Sequence, residues 1–218
     1  MLPALGAGDL SSNLSDPTMS STNKTILFDL MGVVFAKGSF AHALHEMFPK
    51  VSSKLIKRKA HLYKIGKINT IQFWKGISDN PIDDEEKFLG SYRLDPFFPK
   101  IVDRFRKKYN VALVSNISQR WQEKFEHKYN IERHFDKVVY SYQLGIEKPD
   151  ARIYLVALKV MNSDPAETIF IDDHLKNLSA AKKLGMKTIY VERIKDKVRS
   201  KFKPDYKIKN LSGLVRIL

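Results

Sequence analysis

The stretch Lys24-Thr-Ile-Leu-Phe-Asp-Leu-Met-Gly-Val-Val-Phe35 carries an apolar run into Asp29, and Gly32 follows three residues later. An apolar run that ends on an acid and then a glycine delivers a carboxylate from a buried strand to an exposed turn. A carboxylate so placed is suited to an active site. Two positions further on the chain has Met31, a side chain that carries no proton to give or take. Three more polar clusters stand at comparable places: Ser115-Asn116 after Val111-Ala-Leu-Val114, Lys148-Pro149-Asp150 in a turn, and Asp172-Asp173 after Thr168-Ile-Phe-Ile171. Taken singly, each is what an ordinary turn or helix cap uses. Their recurrence at strand ends is what argues for a site.

The elements that must position these clusters alternate. Apolar strands are expected at residues 26–28, 111–114, 138–140, 168–171 and 188–191. Helical periodicity is expected over residues 101–109, 121–129, 151–161 and 178–184. The strands are continuous apolar runs, as in a parallel sheet covered on both faces. The fold class read from this pattern is α/β, a doubly wound, Rossmann-like parallel sheet. In such sheets ligands bind beyond the carboxyl ends of the strands, which brings distant clusters together. Residues 40–79 are mostly helical in pattern, Pro81-Ile-Asp-Asp-Glu-Glu opens another helix, and Asp95-Pro-Phe-Phe-Pro99 marks the return from an inserted helical subdomain. The basic segment from Arg193 to Lys203 reads as a linker or exposed turn.

Composition narrows the chemistry. The 218 residues include no cysteine, which excludes disulfides, thiolate zinc sites and cysteine nucleophiles. No apolar run reaches the roughly 18–20 residues of a membrane span, and a cytoplasmic setting with no membrane partner is expected. Residues 1–22, rich in Ser, Gly, Pro and Asn, read as a disordered leader rather than a secretory signal. The formal net charge of +14 is read as a lysine-rich solvated surface; no nucleic-acid motif accompanies it, so nucleic acid is not an expected partner. Oligomeric state is left open.

The segments FDLMGVVF, LVSNIS, GIEKPD and FIDDHLKN together resemble the four motifs of the haloacid dehalogenase superfamily. The resemblance runs from the first strand to the carboxyl terminus. It implies a core formed by residues 23–35 and 99–218, and a small α-helical cap over residues 36–98. It implies that Asp29 is a nucleophile forming an aspartyl intermediate, that Ser115 binds oxygens of a transferring phosphoryl group, and that Lys148 neutralises charge. Met31, Gly32, Ser115, Asn116 and Lys148 would surround the substrate, a small phosphorylated or otherwise anionic molecule. Mg²⁺ would be held by Asp29, the Met31 carbonyl, Asp172 and Asp173, hard oxygen ligands that suit this ion, with Asn177 supporting the metal loop. His42, His45 and His174 match no motif and are read as surface or cap residues. Phe73 and Trp74 are read as core.

In phosphatases of this family the position of Met31 holds an aspartate that protonates the leaving oxygen and later activates water. Methionine does neither, and loss of a general acid–base costs about 10²- to 10⁴-fold. Three readings follow. The first is a Mg²⁺-dependent hydrolase of the phosphatase branch, restricted to good leaving groups such as acyl phosphates. The second is a protein that binds a phosphorylated ligand or partner without turnover. The third is a dehalogenase, which the acidic pair Asp172-Asp173 disfavours. Phosphonate hydrolysis would need a cap lysine as Schiff base, for which Lys57, Lys59, Lys64 and Lys67 are available.

Overall fold

The computed structural model describes residues 24–193 and 201–218; the expected leader and most of the basic segment after Arg193 lie outside the described residues. Thr25–Phe28 forms β1, Asn110–Ser115 β2, Lys137–Tyr140 β3, Thr168–Asp172 β4, Lys187–Val191 β5 and Tyr206–Ile208 β6. They make one parallel sheet in the order β3-β2-β1-β4-β5-β6. This is the α/β, Rossmann-like architecture expected from the alternation of apolar runs. Four helices follow β1 in sequence: α1 (Phe40–Met47), α2 (Ser53–Lys64), α3 (Thr70–Trp74) and α4 (Pro81–Gly90). Then follow α5 (Lys100–Phe105), α6 (Gln119–Tyr129), α7 (Ser141–Leu144), α8 (Ala151–Met161) and α9 (Leu175–Lys183).

The central strands β1 and β4 are buried throughout because both faces are covered. Successive strand side chains point to opposite faces. Ile26 and Phe28 join one buried cluster with Leu113, Ile171 and α5 residues Ile101, Val102 and Phe105. Leu27, Val114 and Phe170 join the other, against Ile153, Tyr154 and Ala157 of α8 and Leu178 and Ala181 of α9. Register fixes the site. Phe28 lies level with Leu113 on one side and Ile171 on the other. Asp29, Ser115 and Asp172 therefore leave the same edge of the sheet, where the strand order reverses about β1.

The helical insert is joined to the core by aromatic packing. Trp121 of α6 meets Phe40 at a centroid distance of 4.8 Å, Phe88 at 5.1 Å and both Tyr63 and Phe73 at 5.2 Å. Glu85 of α4, only 2% exposed, accepts from Trp121 Nε1 at 3.0 Å, Trp74 Nε1 at 3.4 Å and Arg120 Nε at 2.7 Å. A carboxylate so buried is tolerable because charged and neutral donors converge on it. Phe73 and Trp74 are thus core, as read from the sequence. Local chemistry sets the ends of the insert's helices: Asn69 and Gln72 form a reciprocal capping box at the start of α3, and Pro81 with Asp83 and Asp84 opens α4.

Three expected helices differ in extent, and the one expected over residues 178–184 runs from Leu175 to Lys183. The one expected over residues 101–109 ends at Phe105, where the chain turns into β2. The one expected over 121–129 starts at Gln119, directly after motif residues whose polarity hides the start of the apolar period. Among the described residues no helix is long and apolar enough to cross a membrane.

Candidate functional site

Lys148, 3% exposed, is the hub. Its Nζ donates to Asp29 Oδ1 at 2.7 Å, to Asp172 Oδ2 at 2.9 Å and to the Val114 carbonyl at 2.7 Å. All three donors of the ammonium are used, which is what makes a buried lysine stable in its charged form. The loop that presents it is fixed by Asn116, whose Nδ2 donates to the Lys148 carbonyl at 2.9 Å and whose Oδ1 accepts from Lys148 N at 2.8 Å. Asn116 therefore reaches the site by holding Lys148 in place.

Asp29 is 6% exposed, and its Oδ1 also accepts from Leu30 N at 2.7 Å. Its Oδ2 accepts neither of these bonds. Asp172 is fully buried: Oδ1 takes His174 N at 2.7 Å and Asn177 Nδ2 at 3.1 Å, and Oδ2 takes Lys148 and Asn177 Nδ2 at 3.0 Å. The sequence names Asp173, together with Asp172, as cation ligands. The structure separates them, because both oxygens of Asp172 are engaged by protein donors, whereas Asp173 Oδ1 meets only the His174 ring, at 2.6 Å. Ligand atoms of Asp172, Asp173 and His174 lie within 4.8 Å of one another. His174, read from the sequence as a surface residue, stands beside the site.

Asp173 is cradled by glycines. A Cβ on Gly32, whose φ is +81°, would fall 2.0 Å from Asp173 Oδ2, and one on Gly38 2.4 Å from it. The loop after β1 can approach this carboxylate only because both positions lack side chains. Ser115 is fully buried and, among the described residues, its Oγ has no hydrogen-bond partner, an arrangement that costs stability unless something else occupies it.

The charges do not balance. Three carboxylates, of Asp29, Asp172 and Asp173, face Lys148 and the ring of His174. Burial pushes the Asp29 carboxyl up to about 7; Lys148 opposes this, and Asp172 and Asp173 add to it. Asp173 is likewise raised by burial, with His174 opposing. Lys148 is held above its ordinary range: burial alone would lower it, but Asp172 and Asp29 outweigh that. The Asp173 hydrogen bond pushes His174 up to about 9. A site with surplus buried carboxylates, one of them cradled and little engaged, fits a small divalent cation.

Met31, 6% exposed, belongs to the apolar cluster that includes Phe35, Phe40 and the helical insert. A cavity of about 410 Å³ lies between the insert and α6, lined among others by Tyr63, Lys67, Asn69, Thr70, Ser118 and Arg120. Of the insert's other lysines, Lys64 pairs with Glu147 at 2.7 Å and Lys59 donates to the Gln72 carbonyl. His42 pairs with Glu46 on its own helix. The segment from Arg193 was read as an exposed linker, but the Arg193 side chain is only 12% exposed and is paired with fully buried Asp95. Neither residue carries a signal in the local pattern; only the fold brings them together.

A family model described as haloacid dehalogenase-like hydrolase matches residues 92–191. D-ribitol-5-phosphate phosphatase of Bacteroides thetaiotaomicron is 34% identical over 93 residues, covering 40% of this chain and 45% of that protein. Drimenol cyclase drtB of Aspergillus calidoustus is 31% identical over 113 residues, covering 50% of this chain. The chain spans 21% of that cyclase's length, and less than half of the phosphatase's. The crystal structure of a HAD family enzyme from Bacteroides thetaiotaomicron, a mutant in complex with magnesium and inorganic phosphate, superposes with a TM-score of 0.64 at 26% identity, covering 80% of this chain and 97% of that one. With the parallel sheet and the four clusters at its edge, these likenesses support a hydrolase of the haloacid dehalogenase superfamily.

Proposed function

We propose that this chain is a Mg²⁺-dependent phosphatase-type hydrolase acting through an aspartyl intermediate on Asp29, restricted to small phosphorylated substrates with good leaving groups. The observation that carries this reading is the buried bridge from Lys148 to Asp29 and Asp172, together with the unpartnered Ser115 Oγ at the same strand edge. A bridge of this kind is expensive to bury. It is what a nucleophile facing phosphoryl oxygens needs. The likeness to a phosphatase of ribitol 5-phosphate and to an enzyme crystallised with magnesium and phosphate supports the same reading.

The chain's own residues divide the work. A carboxylate oxygen of Asp29 attacks phosphorus, and the bond from phosphorus to the leaving oxygen breaks with its electron pair on that oxygen. Lys148 and the Ser115 hydroxyl stabilise charge on the phosphoryl oxygens. Water then attacks the aspartyl phosphate and releases Asp29 with inorganic phosphate. Asp29, Asp173 and the Met31 carbonyl would hold Mg²⁺, with Asp172 anchoring Lys148 behind them; bound there, the ion supplies positive charge against the phosphoryl oxygens. Met31 offers no proton to the leaving oxygen. Acyl phosphates, whose carboxylate leaves unassisted, therefore suit the site better than alkyl phosphates.

Hydrolysis of p-nitrophenyl phosphate, sugar phosphates and acyl phosphates with Mg²⁺ tests this. Turnover of acyl phosphates that is lost in Asp29→Asn supports it. Turnover that survives Asp29→Asn sinks the nucleophile. A wild type inert on the whole panel, with activity appearing only in Met31→Asp, replaces hydrolysis by ligand binding without turnover.

A further inference from the structure

The loop after β1 must present one backbone carbonyl to the cation, and the structure accounts for its neighbours. The Leu30 carbonyl accepts from Phe35 N at 2.8 Å and the Val34 carbonyl from Asp95 N at 2.8 Å. Between them, Gly32 accepts from Arg193 Nε at 3.0 Å and Val33 from Arg193 Nη2 at 3.1 Å. Of the carbonyls from Leu30 to Val34, that of Met31 accepts no hydrogen bond from the described residues.

Nε and Nη2 lie on one edge of the planar guanidinium, so two successive carbonyls are taken up by a rigid fork. The fork is itself held. Arg193 pairs with Asp95, which is fully buried and also accepts from Phe97 N at 2.9 Å and Leu211 N at 3.4 Å. Arg193 Nη1 donates to the Lys209 carbonyl at 3.3 Å. Arg193 thus ties together the loop after the nucleophile, the return from the helical insert and the chain's last segment. Gly32, at φ +81°, needs such restraint because glycine's backbone is otherwise the freest in the chain.

We propose that Arg193 is a positioning residue for the metal site, binding the Gly32 and Val33 carbonyls so that the Met31 carbonyl is the one left for the cation. The inference rests on the Mg²⁺ reading above. Arg193 touches neither Asp29 nor Lys148 in the hydrogen-bonding pattern, so its effect runs through loop geometry.

Mg²⁺ titrated calorimetrically into the full chain reads this directly, without any assay of turnover. Arg193→Ala is expected to weaken Mg²⁺ binding by about tenfold or more, in the range seen when supporting residues of metal sites are removed. Arg193→Lys and Arg193→Gln, each keeping a donor but not the fork, are expected to fall between. Lys182→Ala, which breaks the Lys182–Asp205 pair, is the control for general loosening and is expected to bind as wild type. Near-ultraviolet circular dichroism checks that each variant is folded; if Arg193→Ala is not, the Lys and Gln variants carry the test. Folded Arg193 variants with wild-type affinity overturn the inference alone, as does an equal loss in Lys182→Ala. A wild type that binds no Mg²⁺ overturns the metal reading and this inference with it.

Discussion

Lys148 Nζ lies 2.7 Å from Asp29 Oδ1 and 2.9 Å from Asp172 Oδ2, so one buried ammonium joins the ends of two adjacent strands. Lys148→Ala strands two carboxylates in a site that is nearly dry. Removing one partner of a buried pair costs about 3–5 kcal/mol. Urea unfolding at pH 7.5 should show a loss of that order. At pH 5 the deficit should shrink, because Asp29, pushed up to about 7 by burial, then takes a proton. A deficit that is the same at both pH values would mean that Lys148 contributes through packing, for instance against Phe170, rather than through charge.

Asp29 itself sets a pH dependence of stability. In the folded, metal-free protein its carboxyl is raised from the ordinary 3.8 to about 7, first by burial. Between these values the folded chain binds the proton and the unfolded chain does not. The group's contribution to stability is therefore present in full below pH 4, declines as pH rises through this window and is gone above about pH 7. Asp29→Asn removes the titration while keeping an acceptor for Lys148. In a chelator, the melting temperature of Asp29→Asn minus that of wild type should grow from pH 5 to pH 8, reaching at least about 3 °C. A difference that stays flat across the range would contradict the buried, raised carboxyl.

Ser115 carries a paired expectation. Its Oγ is buried without a partner, and such an atom costs about 1–3 kcal/mol. Ser115→Ala should leave thermal stability unchanged or raise it. It should also lower kcat/KM for an accepted phosphate ester by about tenfold to a hundredfold through loss of a donor to the phosphoryl oxygens. Stability falling together with activity would assign Ser115 to structure.

Much of this arrangement is legible in the sequence because apolar runs and the polar residues that end them obey local rules. Asp29, Ser115 and Asp172 each close a buried strand, and parallel register does the rest. The turn that carries Lys148 was found by motif order, since nothing in its composition announces that Asn116 will fix it from both sides. The different situations of Asp172 and Asp173 were not legible, because adjacent aspartates look alike until their donors are placed. Arg193 was misread for a related reason. A basic run predicts solvent, and only the return of the chain beside Asp95 and Gly32 gives its first residue buried partners. The attachment of the insert through Glu85 was hidden too, in a helix whose acidic start looked like ordinary capping.

Glu85 gives a test of how firmly the insert is attached. Its carboxylate gathers Arg120 and the two indole N–H groups of Trp74 and Trp121. Glu85→Ala leaves both indoles unpaired in an aromatic cluster, and Glu85→Gln keeps an acceptor while removing the charge. The Ala variant should lose about 3–5 kcal/mol, and the Gln variant less. Tryptophan fluorescence should shift to longer wavelength in Glu85→Ala under native conditions if water reaches Trp121. An unchanged spectrum together with unchanged stability would show that the aromatic contacts alone hold the insert.

Met31 decides which substrates turn over, and the dependence on leaving group is the way to see it. In wild type the rate should fall steeply as the leaving group becomes more basic, because nothing at position 31 donates a proton. Met31→Asp should raise hydrolysis of alkyl phosphates by about 10²- to 10⁴-fold, the range a general acid–base supplies. It should change acyl phosphates much less in the first step. The variant will be less stable, since Met31 is 6% exposed within an apolar cluster and a carboxyl there must be desolvated. Rates are therefore best compared below the variant's melting range. A steep leaving-group dependence that remains unchanged in a folded Met31→Asp protein would mean that the missing proton carrier is not what limits this site.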